Sequence, residues 1–471
     1  MTATIDHTPE LRARMAGQVL GPGSEGYDEA RAIWNGGIDR RPAVIARCAG
    51  TPDVVATIAY AREHGLPIAV RGGGHNTAGH ASVDGGLVID LATMNTVAVD
   101  AAARRVRVGG GALQRDMDAA TQVHGLAVPA GEVGHTGVAG LTLGGGMGWL
   151  TRQFGLSVDV LVSAEVVLAD GQVVRASSEQ NPELFWALRG GGGNFGVVTE
   201  FEFDAFPVGP MISFGMFFYG LDQGAEVLRL ARDVVPALPD SVSFQVVAVN
   251  APPAPFVPED VQFRPGWALV VIGTASDAGV DADSASVHES LHENGPDPLF
   301  EFVTPMPYTA LQQMFDEANA FGVHCYEKSC YVPELSDGAI DVLVEHVARK
   351  TSPTSVVHLY TLTGAYCTAD ADATSFGGTR TPRLGVFAVG LTPDGTGLPA
   401  ETAWVRDLYR ALLPYVIADG GYVNAMVADD SDRVRASYGS KYERLALIKA
   451  AVDPDNVFRR NANIPPARRG G

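Results

Sequence analysis

The tract Val70-Arg71-Gly72-Gly73-Gly74-His75-Asn76 combines backbone without side chains and an imidazole directly after it. Bare backbone can come close to a phosphate, and successive N–H groups form a nest for anions. A histidine at the lip of such a nest sets a nucleophilic ring nitrogen against a nucleotide cofactor. The competing reading is a glycine turn with a satisfied surface histidine. Two further glycine loops, residues 144–148 and 190–196, favour the first reading. The latter contains Gly191-x-Gly193-x-x-Gly196, which formally matches the dinucleotide fingerprint. That fingerprint belongs after a strand and before a helix. Here it follows a helix (182–188) and opens a strand (197–203), so no NAD site is implied. No Gly-Lys-Ser or Gly-Lys-Thr is present, so there is no P-loop either. Three nests would suit a long ligand with a pyrophosphate at its middle.

The first loop needs a strand to deliver it, and residues 67–71 read as one. A strand at 43–48 precedes it, then a helix capped by Thr51 with Pro52 in its first turn, running to about residue 64. Strands follow at 87–91 and 105–108, and a helix at 112–124. Asp170-Gly171 joins 163–168 to 173–174 as a hairpin. Beyond residue 206 glycine thins. Strands are expected at 241–250, 267–274, 326–332, 356–362 and 384–391, with helices at 275–293, 336–350 and 442–449. Alternation places His358, Tyr360 and Leu362 on one face, and Tyr326 with Lys328 on one face of another strand.

With 471 residues the chain has room for two or three domains. Its formal charge is −20, from 34 Lys plus Arg against 54 Asp plus Glu. That balance argues against nucleic acid and against anionic membrane surfaces. No apolar run reaches the ~18 residues of a membrane span. The N-terminus lacks the basic start and apolar core of a secretory signal. The four cysteines, Cys48, Cys325, Cys330 and Cys367, show neither disulfide-scaffold density nor zinc spacing. A reduced, cytoplasmic protein without bound metal is expected.

Read together, these motifs resemble the FAD-linked oxidases of the vanillyl-alcohol oxidase superfamily, in the berberine-bridge-enzyme-like branch. Residues 71–75 match the flavin-attachment loop. Pro129-Ala130-Gly131, residues 137–140 and Gly144-Gly145-Gly146-Met147-Gly148-Trp149 match the second cofactor segment, and residues 189–199 the third. Tyr422-Val423-Asn424, Tyr442-Glu443-Arg444-Leu445, residues 453–459 and Asn461-Ala462-Asn463-Ile464 match the closing segment. The match runs from about residue 40 to 466.

The resemblance implies an α+β, two-domain fold of the PCMH type. An FAD domain (1–205) would be followed by a substrate domain of antiparallel sheet backed by helices (206–420). A closing segment (421–471) would return to the flavin. His75 would bond to the 8α-methyl of FAD. Many members add a thioether from a cysteine two residues after Pro-Ala-Gly. That position is Val133 here, so no cysteinyl link is expected. Arg71, Gly72, Gly73, Gly74, Asn76, Val133, Thr136, Gly137, Gly140, Gly145, Gly148, Val198, Asn461 and Asn463 carry over as cofactor contacts.

Tyr422 would act as base or orient substrate, with Asn424 positioning it. The alternative is a core tyrosine with a satisfied hydroxyl. Ala425 follows where many members have an aromatic, which puts a second tyrosine base in doubt. His135 could serve as acid or base, or be structural. Trp149, Tyr326, His358 and Tyr360 are the substrate-pocket candidates. The implied reaction is two-electron oxidation of a small alcohol, amine or secondary-metabolite C–H, with O2 as acceptor and H2O2 as product. Alternatives are a flavin oxygenase of an aromatic or polyketide-like intermediate, and a non-catalytic flavin or small-molecule binder. The oligomeric state is not legible in the sequence.

Overall fold

The computed structural model of the chain describes residues 6–274, 282–417, 420–427, 430 and 432–468. A small sheet delivers the first glycine loop. Val44–Arg47 and Ile68–Arg71 both pair in parallel with Leu87–Asp90, and Gln18–Leu20 adds an antiparallel edge. Parallel strands require a crossover, and the helix Thr51–Glu63 supplies it. Val54, Ile58 and Ala61 of this helix are buried with Val44, Ala46, Leu87 and Ile89 of the strands. Thr51 is not the cap. Gly50 holds that position, and the Thr51 hydroxyl donates to Glu165 at 2.7 Å.

A second sheet of five antiparallel strands runs in the order Val97–Asp100, Arg105–Gly109, Val197–Asp204, Leu161–Val167, Val173–Ser177. The hairpin at Asp170-Gly171 joins the last two, with the Leu168 N–H on the Gln172 carbonyl at 2.9 Å. Val106, Val108, Phe201 and Phe203 bury one face of this sheet.

The largest sheet has seven strands, all antiparallel to their neighbours. Their order is Phe300–Pro307, Met211–Gly220, Pro265–Gly273, Val242–Asn250, Val356–Leu362, Arg383–Thr392, His324–Val332. The helices Gly224–Val234, Asp337–Val347 and Leu398–Leu412 cover one face through Leu228, Leu343, Trp404 and Leu408. The other face meets the glycine loops. Trp149 and Leu150 pack with Phe214 and Phe218, and Met147 and Tyr422 pack with Tyr331 and Phe387.

Two of these strands escape the sequence reading. Met211–Gly220 is buried on both faces over most of its length, so it lacks alternation. Phe300–Pro307 alternates but carries Pro305 and Pro307, which read as breakers. Proline is tolerated there because the strand lies at the sheet edge. The helices Gly224–Val234 and Leu398–Leu412 were also unread. The helix expected at 275–293 is Ala282–Asn294, and its first expected residues lie outside the described residues.

The closing segment is held by a buried ion pair. Lys449, on the helix Tyr442–Val452, contacts Asp453 at 2.6 Å, and both are fully buried. The ammonium also donates to the carbonyls of Asn194 (2.6 Å) and Phe458 (2.9 Å). Asp453 accepts the N–H groups of Val457 and Phe458. One pair thereby ties the third glycine loop to the segment carrying Asn461 and Asn463.

Candidate active site

The strand Ile68–Arg71 ends at a genuine nest. Among the described residues, no N–H of residues 72–77 donates to a protein acceptor. Glycine is required here by close approach: a Cβ on Gly73 would lie 2.3 Å from the Gly137 nitrogen. The loop is pinned from its ends. The Arg71 guanidinium donates to the Ala30 carbonyl. The Asn76 amide oxygen accepts from Ala78 (3.1 Å), and its amide N–H donates to the Asn424 carbonyl (3.3 Å). Both residues, expected as cofactor contacts, make these side-chain bonds to protein groups.

His75 lies between two rings. Trp34 stacks on it at 4.5 Å and 17°, and His135 lies at 5.0 Å and 29°. His75 Nε2 is 3.2 Å from His135 Nδ1, and His135 Nε2 is 3.3 Å from the Asp316 carbonyl oxygen. Burial, with His135 beside it, pulls His75 down to about 3. Its imidazole is therefore neutral at physiological pH.

The second glycine loop is no nest, which corrects the expectation for Gly145 and Gly148. The Gly145 N–H donates to the Thr142 carbonyl and the Gly148 N–H to the Thr151 hydroxyl. Their missing side chains admit protein: Phe376 and Tyr422 crowd Gly145, and the Ala130 carbonyl crowds Gly148. The Gly146 N–H donates instead to the Tyr422 hydroxyl at 2.9 Å. The third loop is also tied inward, with Gly190 and Gly192 donating to the Leu143 carbonyl.

Tyr422 is buried, and its hydroxyl oxygen is held from two sides. Asn424 Nδ2 donates to it at 2.9 Å and to the Leu141 carbonyl at 3.0 Å. With the Gly146 N–H, these donors occupy both phenolic lone pairs. The Tyr422 proton is left to point elsewhere. Burial raises the phenol above its ordinary value of 10, opposed by those same donors.

Across the domain boundary, His358 and Tyr360 share one sheet face, and that face meets Glu132 beside the glycine loops. They stack at 4.0 Å. Tyr360 donates to Glu132 Oε2 at 3.1 Å, Gln245 donates to Glu132 Oε1, and His358 Nε2 lies 2.6 Å from Gln245 Oε1. Burial pushes Glu132 up to about 8 and His358 down to about 3. Burial thus favours the uncharged form of both groups. Thr77, which follows the first glycine loop, donates to Glu327 on the same face of the large sheet, and burial raises Glu327 to about 7.

Two pocket candidates are corrected. Tyr326 lies on the helix-backed face, where its hydroxyl accepts from Arg406 at 2.9 Å. The alternation was right, but the face was reversed: Glu327, Ser329 and Tyr331 point toward the loops. Trp149 is 1% exposed within an apolar cluster, tilted against Phe315 at 5.9 Å. It packs against the seven-stranded sheet and is almost fully enclosed by it and the neighbouring loops.

Residues 42–177 match the family model described as FAD binding domain, and residues 421–465 the one described as berberine and berberine like. The chain is 31% identical to (R)-6-hydroxynicotine oxidase of Paenarthrobacter nicotinovorans, over 96% of this chain and 97% of that one. The chain belongs to the berberine-bridge-enzyme-like FAD-linked oxidoreductases. Among solved structures, 6-hydroxy-D-nicotine oxidase from Arthrobacter nicotinovorans superposes with a TM-score of 0.83 at 28% identity, covering 96% of this chain and 98% of that one. Berberine bridge enzyme from Eschscholzia californica shares the fold, with a TM-score of 0.84 at 20% identity over 98% and 99% of the two chains.

The residues present fit FAD. The unpaired N–H groups of residues 72–77 can take a pyrophosphate. Gly140 has nothing within 4 Å of where a Cβ would stand. The side-chain oxygens of Thr142, Asn461 and Asn463 are buried without a partner, as groups awaiting a polar ligand would be. Val133 and Thr136 are half-buried, and Gly137 lies against Gly73 of the first loop. Val198 is a buried strand residue paired with Val166. In this oxidoreductase the sequence reading missed Trp34, Glu132, Gln245, Asp316 and Glu327. Glu132 stood inside a quoted motif, yet its burial comes only from the docked sheet. Trp34 and Asp316 lie in segments without a motif.

Proposed function

We propose that this oxidoreductase removes two electrons from a small organic substrate and passes them to O2, releasing H2O2. Its FAD would be tethered by His75 alone. The observation that carries this reading is the run of unpaired N–H groups ending at a neutral, buried His75. The name of the (R)-6-hydroxynicotine oxidase relative adds support for an oxidase. FAD held there supplies hydride acceptance and reoxidation by O2. His75 fixes the ring against the nest. Valine has no thiol, so position 133 adds no second bond. Asn424 and the Gly146 N–H stabilise Tyr422 as the phenolate, which takes the substrate proton and becomes a phenol. Tyr360 and His358, braced by Glu132 and Gln245, orient the substrate from the sheet side.

No helix among the described residues is long and apolar enough to cross a membrane. All four cysteines are free, which suits the cytoplasmic placement we propose. The reaction is tested by following O2 uptake and peroxide release over a panel of alcohols, amines and aromatic natural products. One peroxide per product is expected. Oxygen-18 passing from O2 into the product would contradict an oxidase and point to an oxygenase.

A further inference from the structure

The proton positions around His75 follow from one backbone carbonyl. His135 Nε2 faces the Asp316 carbonyl oxygen at 3.3 Å. That oxygen can only accept, so Nε2 of His135 carries the hydrogen and its Nδ1 holds a lone pair. This lone pair faces His75 Nε2 at 3.2 Å, so Nε2 is the protonated nitrogen of His75. His75 Nδ1 is then the bare nucleophile. We propose that His135 is the general base of covalent flavin attachment, taking the Nε2 proton of His75 while His75 Nδ1 bonds to the 8α carbon. The proposal rests on the covalent reading above.

The step balances. The bond formed is Nδ1–C8α, and those broken are the His75 Nε2–H bond and one C–H bond of the methyl group. The two electrons and two protons released pass through the isoalloxazine to O2, giving one H2O2 per bond formed. The neutral state of His75 keeps its nucleophilic lone pair free.

The device is assembled across the two parts of the chain. Asp316 belongs to the segment between the helix Tyr308–Gln312 and the strand His324–Val332. The same segment binds the Trp34 indole N–H through the Asn319 carbonyl at 2.7 Å, and the Trp34 carbonyl through the Gly322 N–H at 3.0 Å. Its Asp316 carboxylate accepts the Gly134 N–H at 2.6 Å, next to His135. One strap thus orients both rings flanking His75. Attachment therefore waits until the large sheet has docked on the FAD-binding part.

The test uses full-length apoprotein from riboflavin-starved cells, mixed with FAD in air. Covalent flavin is read by fluorescence of the acid-precipitated protein and by intact mass. Wild type should acquire one flavin and His75→Ala none. His135→Ala and His135→Gln should bind FAD reversibly but attach it about 100-fold more slowly or worse. Added imidazole should restore much of the rate to His135→Ala. The wild-type adduct, analysed by NMR of the flavin peptide, should be joined through Nδ1. Attachment at the wild-type rate in both His135 variants overturns the proposal, as does an Nε2 adduct. A wild-type chain that binds FAD only reversibly overturns the covalent reading itself, which is a separate and distinguishable result.

Discussion

Tyr422→Phe should lower kcat/KM for substrate oxidation by about 10²–10⁴-fold, the range of a general base or acid. The variant keeps the ring that packs against Phe376 and Phe387. It removes only the oxygen that the Gly146 N–H and Asn424 hold at 2.9 Å each. A satisfied core hydroxyl would serve stability alone. Losing it would strand two donors at a cost of about 1–3 kcal/mol, with little effect on rate in the folded fraction. The pH profile separates the two roles. Burial raises the Tyr422 phenol above its ordinary value, so the active phenolate grows as pH rises through the alkaline range. Wild-type kcat/KM should climb with pH there, and Tyr422→Phe should lose that climb. A profile unchanged in shape, with a rate within a few-fold of wild type, would remove Tyr422 from the chemistry. Asn424→Ala should produce a smaller loss of the same kind, because Asn424 acts through the phenol.

The second large effect lies far from the reacting atoms. Asp453→Ala should destabilise the chain by about 3–5 kcal/mol, the usual cost of leaving one buried charge without its partner. Lys449 would keep only the carbonyls of Asn194 and Phe458. Burial already pulls the lysine below its ordinary value, so it would neutralise. The loss should extend to the cofactor. Asn194 holds the closing segment through the Ile464 N–H (3.0 Å) and the Ala462 carbonyl (3.1 Å). Chemical denaturation should show an earlier midpoint, and reversible FAD affinity should fall with it. Replacing the pair together, by Lys449→Met with Asp453→Leu, should recover much of the stability. A loss below about 1 kcal/mol in the single variant would contradict the buried-pair account.

Residue order reveals some of these contacts and hides others. The first glycine loop was legible because its glycines answer a backbone demand: Gly73 meets Gly137 too closely for any side chain. The loop at residues 144–148 shows the limit of the same signal. Its glycines are required just as strictly, but by Phe376, Tyr422 and Ala130, and sequence does not say whether protein or ligand fills the space. Period-two alternation grouped His358 with Tyr360 and Tyr326 with Lys328, but it left open which group turns toward the glycine loops. Alternation defines two faces without naming the inner one, and pairing against the neighbouring strand decides that. Glu132 and Asp316 gain their roles only when the seven-stranded sheet docks. Their partners lie more than a hundred residues away along the chain. Such contacts leave no local trace.

The central claim, an FAD oxidoreductase tethered through His75, is tested most directly by acid denaturation of the flavin-loaded protein followed by peptide mapping. The yellow colour should stay with the precipitate and map to one peptide containing His75, with none at Val133. Colour released to the supernatant, or a flavin peptide lacking His75, would contradict it.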